Sequence, residues 1–232
     1  MTIYRLHLES GPKRKKTMVH VSNLMGCSVG GPTTEDALAA TPDAIRAYLG
    51  FLAAHGGSVD PGSAFETEIV EHITEGPWLG NGAVVISTDP DPIAPRELAE
   101  ALARYRWLHE GLVAAIDGRD TAALSSKPAK GRALGDIVSH VLGAEGAYLS
   151  SGLRSNPALN RVAREVERGE RDPRDGLLEV ADLFEVEVRA ATPAERKAVT
   201  TRGQQIGSLR RTMRRALEHG WEHLQEIEGR PA

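Results

Sequence analysis

A single cysteine, Cys27, stands in a chain of 232 residues. One thiol cannot close an internal disulfide, which fits a reducing compartment and excludes a cross-linked secreted scaffold. No apolar run approaches the roughly 18–20 residues that a membrane span needs. The opening MTIYRLHLESGPKRKK also lacks the order of a secretory leader, because its charges follow a short alternating run instead of preceding an apolar core. A cytoplasmic location with no membrane association is expected. An excess of positive charge is missing too. Residues 1–92 carry 6 Lys and Arg against 11 Asp and Glu, and residues 93–232 carry 22 against 21. Nucleic acid is therefore not an expected partner, and the run KRKK at 13–16 reads as a solvated hairpin tip in an acidic region. There is no phosphate-binding loop, dinucleotide fingerprint, Cys-rich zinc pattern or nucleophile elbow.

What is present suits a folded chain of one large or two modest domains: hydrophobic residues make up 41% and charged residues 26%. The clearest break is STDPDPIAPRE at 87–97, where closely spaced prolines remove backbone donors and favour extended geometry. It predicts a boundary near residue 93, with domains over 1–92 and 93–232.

Before the break, TIYRLHLES and TMVHVSNL alternate apolar and polar residues as strands do, with a hairpin loop over Gly11–Lys16. CSVGG, AFETEIVEHI and GAVVIST predict further strands. TTEDALAATPDAIRAYLGFLAAHGG predicts a helix, with Thr33 or Thr34 as N-cap and Gly56-Gly57 as its stop. Pro42 predicts a kink, or a later start. The sum is a small α+β domain built on an antiparallel sheet and one helix. After the break the pattern turns helical. Leu98, Leu102, Tyr105, His109, Leu112 and Ile116 alternate spacings of four and three in a first helix. ALGDIVSHVLGAEGAYLSSG, DPRDGLLEVADLFEVEVRAAT and GSLRRTMRRALEHGWEHLQEIEGRP predict three more, hence an all-α four-helix bundle with a long connection between its second and third helices.

The last of these carries His219 and His223, four apart. Leu209, Ala216 and His223 are seven apart, as are Thr212, His219 and Glu226, which sets both histidines along the apolar seam. Residues i and i+4 have Cβ atoms about 6 Å apart, so both imidazoles can reach one cation at roughly 2.0–2.1 Å. A third ligand has to come from another helix, and His140 and His109 both occupy suitable positions. Two core histidines satisfied by hydrogen bonds are the competing reading.

Three stretches carry a resemblance. The helix at the start of the second domain, ALGDIVSHVLGAEGAYL with its mid-helix histidine, and RRALEHGWEHLQEI with its pair after an Arg-rich turn are similar to the DinB-like family of damage-inducible, metal-binding four-helix bundles. The resemblance spans roughly residues 93–230. It implies His140, His219 and His223 as the metal ligands, leaving His109 out. It also implies a divalent ion, zinc or nickel, and activation of water or a low-molecular-weight thiol, as in a hydrolase or a thiol-dependent transferase or isomerase acting on a small-molecule substrate. Glu145, Glu222 and Glu226 are candidates for supporting or general-base groups. Gly220 departs from the family, which often has an acidic residue there. Over residues 1–57, VSNLMGCSVGGPTTEDALAATPDAIRAYLGFLAAHG resembles the HicB-like family, whose members bind a small RNA-cleaving toxin. With a helical domain where a DNA-binding tail is usual, this implies an interaction module for a protein partner. Cys27 matches that family's turn cysteine, a structural position. Both resemblances imply a homodimer. The rival from another class is a non-enzymatic binding protein whose helices serve as scaffold.

Overall fold

The computed structural model describes residues 1–11 and 16–230; the predicted hairpin loop and most of the KRKK run lie outside the described residues. The chain forms two compact units, Met1–Pro90 with Thr201–Ile206, and Asp91–Thr200 with Gly207–Ala232. No helix among the described residues is long and apolar enough to cross a membrane.

The first unit holds β1 (Thr2–Gly11), β2 (Lys16–Val21), β3 (Ser28–Gly31), α1 (Thr34–Ala54) and β4 (Phe65–Ile73). The sheet runs β3-β2-β1-β4. The pairs β1–β2 and β2–β3 are antiparallel, whereas β4 lies parallel to β1, with Thr2 opposite Phe65 and Glu9 opposite Ile73. The sheet is thus mixed, not antiparallel as its strand sequences suggested. The reason is the crossover: α1, at 1.5 Å per residue, carries the chain roughly 30 Å, so the next strand enters from the same end as β1.

Pro42 does not interrupt α1. A proline inside a helix costs about 3 kcal/mol, but the face bearing Ile45, Tyr48, Leu49 and Leu52 is buried. Each such side chain contributes roughly 1.5–3 kcal/mol, so burial wins. Thr33 is the N-cap and accepts the N–H of Asp36 at 3.1 Å. Cys27 is buried in the turn between β2 and β3, where its N–H donates to the Leu24 carbonyl.

GAVVIST is not a strand. Several of its backbone donors go to carboxylates: Glu9 accepts from Gly82 at 2.6 Å, and from Gly80 just before the stretch at 3.1 Å, Asp89 accepts from Ile86 at 3.0 Å, and Glu71 from Ser87 at 2.9 Å. With those bonds made, Val84 and Ile86 are buried from a loop.

The second unit contains α2 (Pro95–Ile116), α3 (Thr121–Ser125), α4 (Leu134–Gly152), α5 (Pro157–Glu167), α6 (Pro173–Arg189) and α7 (Leu209–Glu228). A short two-stranded sheet, β5 (Val199–Arg202) with β6 (Gln205–Ser208), precedes α7, so the chain after residue 93 is not purely helical, and Thr201–Ile206 of this hairpin belong to the first compact unit. α2 and α4 each pack on both α6 and α7, and α5 packs on α4 and α6. The stripe from Leu98 to Ile116 is buried throughout. α5 occupies the predicted long connection. Its signal is present in the sequence: Asn156 caps the N–H groups of Ala158 and Leu159, Pro157 takes the first helical position, and Leu159, Val162, Ala163 and Val166 form the buried face.

The end of α4 closely approaches the segment that leads into α7 at two glycines, Gly152 in α4 and Gly207 in β6. A Cβ on Gly207 would lie 1.6 Å from the Ser151 carbonyl oxygen, and one on Gly152 2.2 Å from that of Ser208. Only glycine fits there. The Thr212 hydroxyl then donates to the Tyr148 carbonyl at 2.9 Å, setting the register of α4 along α7.

Candidate metal centre

Along the α4–α7 contact, two rows of side chains with spacing four face each other: His140, Ala144 and Tyr148 from α4, and Arg215, His219 and His223 from α7. A spacing of four keeps residues on one helical face. His219 Nε2 lies 3.0 Å from His140 Nε2 and 3.1 Å from His223 Nε2. One ligand atom from each of the three lies within 4.8 Å of the other two. His219 and His223 are buried, while His140 is exposed, so the cluster opens to solvent on the α4 side.

His223 Nδ1 lies 2.8 Å from Glu226 Oε2 and 3.4 Å from Arg132 Nη2. An ionised carboxylate only accepts, so in the shorter contact Nδ1 donates its proton to Glu226, and in that tautomer the ring presents a bare Nε2 to the cluster; Arg132, which can only donate, is then bonded to Glu226 and not to Nδ1. Glu226 is held in turn by Arg132 at 3.0 Å and Arg230 at 3.1 Å. Burial works to raise the Glu226 carboxyl, but His223 and Arg132 outweigh it and keep it below its ordinary range. Burial first, then the neighbouring His223 and His140, pushes His219 down to about 2. His140 moves in the same direction, through burial and then His223. At neutral pH this favours the uncharged forms of His219 and His140, the form in which imidazole ligates metals.

The donor set fits a first-row divalent ion. Bonds of roughly 2.0–2.1 Å to one ion place neighbouring nitrogens about 2.9–3.4 Å apart; the two pairs that share His219 stand in that range, and the three ligand atoms together lie within 4.8 Å of one another. Glu226 supplies the carboxylate–histidine support typical of such ligands. His219 differs: its Nδ1 is buried with no hydrogen-bond partner, and its ring is oriented by edge-on packing against His223 and Tyr148. Replacing Glu226 with alanine is expected to lower metal affinity about 10–100-fold, read by competition with a chromophoric chelator. An unchanged affinity would remove Glu226 from the site.

The other sequence candidates lie elsewhere. His109 joins a separate buried network, with its Nε2 3.0 Å from Glu145 Oε1 and its Nδ1 3.0 Å from the Tyr105 carbonyl oxygen. Glu145 also accepts the Tyr105 hydroxyl. Glu145 therefore supports His109 and Tyr105, with no bond to the three histidines. Glu222 is exposed and bonds none of the three. Gly220 faces α2, where an added Cβ would meet Leu108 at 3.5 Å, so the residue type there does not reach the cluster. Sequence reasoning missed Arg132, Tyr148 and Arg215. Spacing would have revealed the last two, since 148 continues the row from 140 and 215 precedes 219 by four. A cavity of about 570 Å³ elsewhere in this unit, lined by Arg119, Asp136 and Arg174 among others, includes none of the three histidines.

Comparison with protein-family models, with curated proteins and with solved structures finds no match, so the reading of this centre rests on its own geometry.

Proposed function

We propose that the second unit is a metal-dependent enzyme of the DinB-like, four-helix-bundle kind, in which His140, His219 and His223 hold one divalent ion, zinc or nickel. The observation that carries this is the convergence of three Nε2 atoms, at least one of them a bare acceptor. One His219 Nε2–H can point at only one of its two neighbours at 3.0 and 3.1 Å, whereas a cation among the three nitrogens satisfies every lone pair at once. When bound, such an ion supplies Lewis acidity to an oxygen or sulfur ligand, here water or a low-molecular-weight thiol. The chain's own residues do the rest. Glu226 fixes the His223 tautomer, Arg132 and Arg230 hold Glu226 ionised, and the exposed His140 side admits a small-molecule substrate. The first unit is proposed as a HicB-like interaction module for a protein partner, and the whole chain as a homodimer.

Metal analysis of the purified protein by mass spectrometry is expected to give about one ion per chain. His219→Ala removes a ligand and is expected to lose the ion, a larger effect than the roughly 10–100-fold from losing a supporting carboxylate. Far-ultraviolet circular dichroism should remain helical. Equal metal content in the wild type and in His219→Ala would sink the reading. No metal in either, with a small basic protein copurifying, would favour a binding protein whose helices are scaffold.

A further inference from the structure

Tyr148 stands in the same row as His140, two helical turns along α4, with only Ala144 between them. Long side chains on a helix lean toward its N-terminus, which for Tyr148 means toward His140. Its ring meets the His219 ring edge-on, with centroids 5.7 Å apart. The ring also meets Arg215, whose guanidinium carbon lies 5.3 Å from the ring centroid and whose Nη2 is 3.2 Å from the phenol oxygen.

Arginine only donates, so in that bond the phenol oxygen is the acceptor. The tyrosine O–H is then left over, and no side chain or carbonyl among the described residues accepts it. Tyr148 is also only half-buried, which leaves the hydroxyl within reach of a small ligand. Its backbone is braced, because its carbonyl accepts from both Thr212 and Ser151. A fixed ring, an oriented oxygen and an unspent donor beside an open cluster together make a recognition group.

We propose that Tyr148 donates a hydrogen bond to an oxygen of the substrate, a carboxylate or carbonyl, bound at the three-histidine centre. Arg215 takes up one lone pair of the phenol and adds positive charge on the same side, which favours an anionic oxygen over a neutral one. This rests on the metal-centre reading. It adds a group that discriminates among ligands of that centre by whether they can accept a hydrogen bond.

The test uses full-length protein loaded with zinc, wild type and Tyr148→Phe, and two probes followed by calorimetry. Acetohydroxamate binds metals through oxygen and accepts hydrogen bonds. Imidazole binds through one nitrogen and presents only an N–H. The phenylalanine variant is expected to keep its metal content and melting behaviour, to bind acetohydroxamate about tenfold more weakly, and to bind imidazole unchanged. Equal acetohydroxamate affinity in the two proteins would overturn the role of Tyr148 while leaving the metal centre intact. A parallel loss for both probes would also overturn it, since that marks a general disturbance of the site. Absence of bound zinc in both proteins would instead overturn the centre itself, and the inference with it.

Discussion

Replacing Glu145 with alanine is expected to destabilise the helical unit by about 3–5 kcal/mol, the usual cost of stranding the partner of a buried ion pair. Glu145, His109 and Tyr105 are each no more than 1% exposed. The carboxylate accepts the Tyr105 hydroxyl and faces His109 Nε2, while Phe184 of α6 stacks on the Tyr105 ring at 4.4 Å between centroids. The His109–Glu145 contact at 3.0 Å is not aligned as a hydrogen bond for either atom, so attraction between charges contributes more than directionality. Burial lowers the affinity of His109 for a proton, but the Glu145 carboxylate more than reverses this and lifts its pKa above the ordinary value. Burial, then the same carboxylate, drives Tyr105 well above its own. Without Glu145, a phenol hydroxyl and an imidazole nitrogen remain buried with no partner. Chemical unfolding followed at 222 nm reads the loss. Converting all three to Leu, Leu and Phe, at 145, 109 and 105, should recover most of it, because a well-packed apolar replacement avoids desolvating any charge. A Glu145→Ala protein within 1 kcal/mol of wild type would show that the network carries little of the core's stability.

The second large effect concerns pH in the metal-free protein. His219 has a folded pKa of about 2, against an ordinary value near 6.5. Between those values the unfolded chain binds a proton that the folded chain refuses, so acidification favours unfolding. The stability at stake is therefore intact above pH 6.5 and lost as pH falls, at about 1.4 kcal/mol per pH unit from this group. His140, shifted in the same direction, adds to it. His109 works oppositely: its raised pKa gives a contribution present below about 6.5 and lost as pH climbs through the raised value. With chelator present, urea unfolding at pH 6, 5 and 4 should show His219→Gln gaining on the wild type by about 1.4 kcal/mol per unit. Parallel stability curves for the two proteins would contradict a buried, proton-refusing His219. Saturating metal at 1,000 times its dissociation constant should add about 4 kcal/mol at pH 7, an increment that shrinks as protons compete for the imidazoles.

Periodicity and capping chemistry made much of the helical unit legible. The stripe from Leu98 to Ile116 needs only a period of 3.6, and Asp172-Pro173 starts a helix because both residues suit its first positions. The pair in EHGWEH was equally open to inspection, since two residues four apart on one helix must share a face. The loop over 79–90 was not legible, because its apolar residues read as a strand until Glu9 and Asp89 take their backbone donors. The direction of β4 was hidden as well, since a strand's residues are the same whichever way its neighbour runs.

The sequence alone therefore determined which residues travel together: His219 with His223 and Arg215, His140 with Tyr148, and His109 with Tyr105. Which of these groups meet was decided only by the tertiary structure. Spacing allowed both His109 and His140 beside the pair on α7, because periodicity names the members of a face without naming the face opposite. The close approach at Gly152 and Gly207 sets α4 against α7 and brings His140 to His219, whereas His109 and Glu145 turn toward each other in the core. That choice depends on backbone contacts far apart in the chain, and no local pattern encodes them.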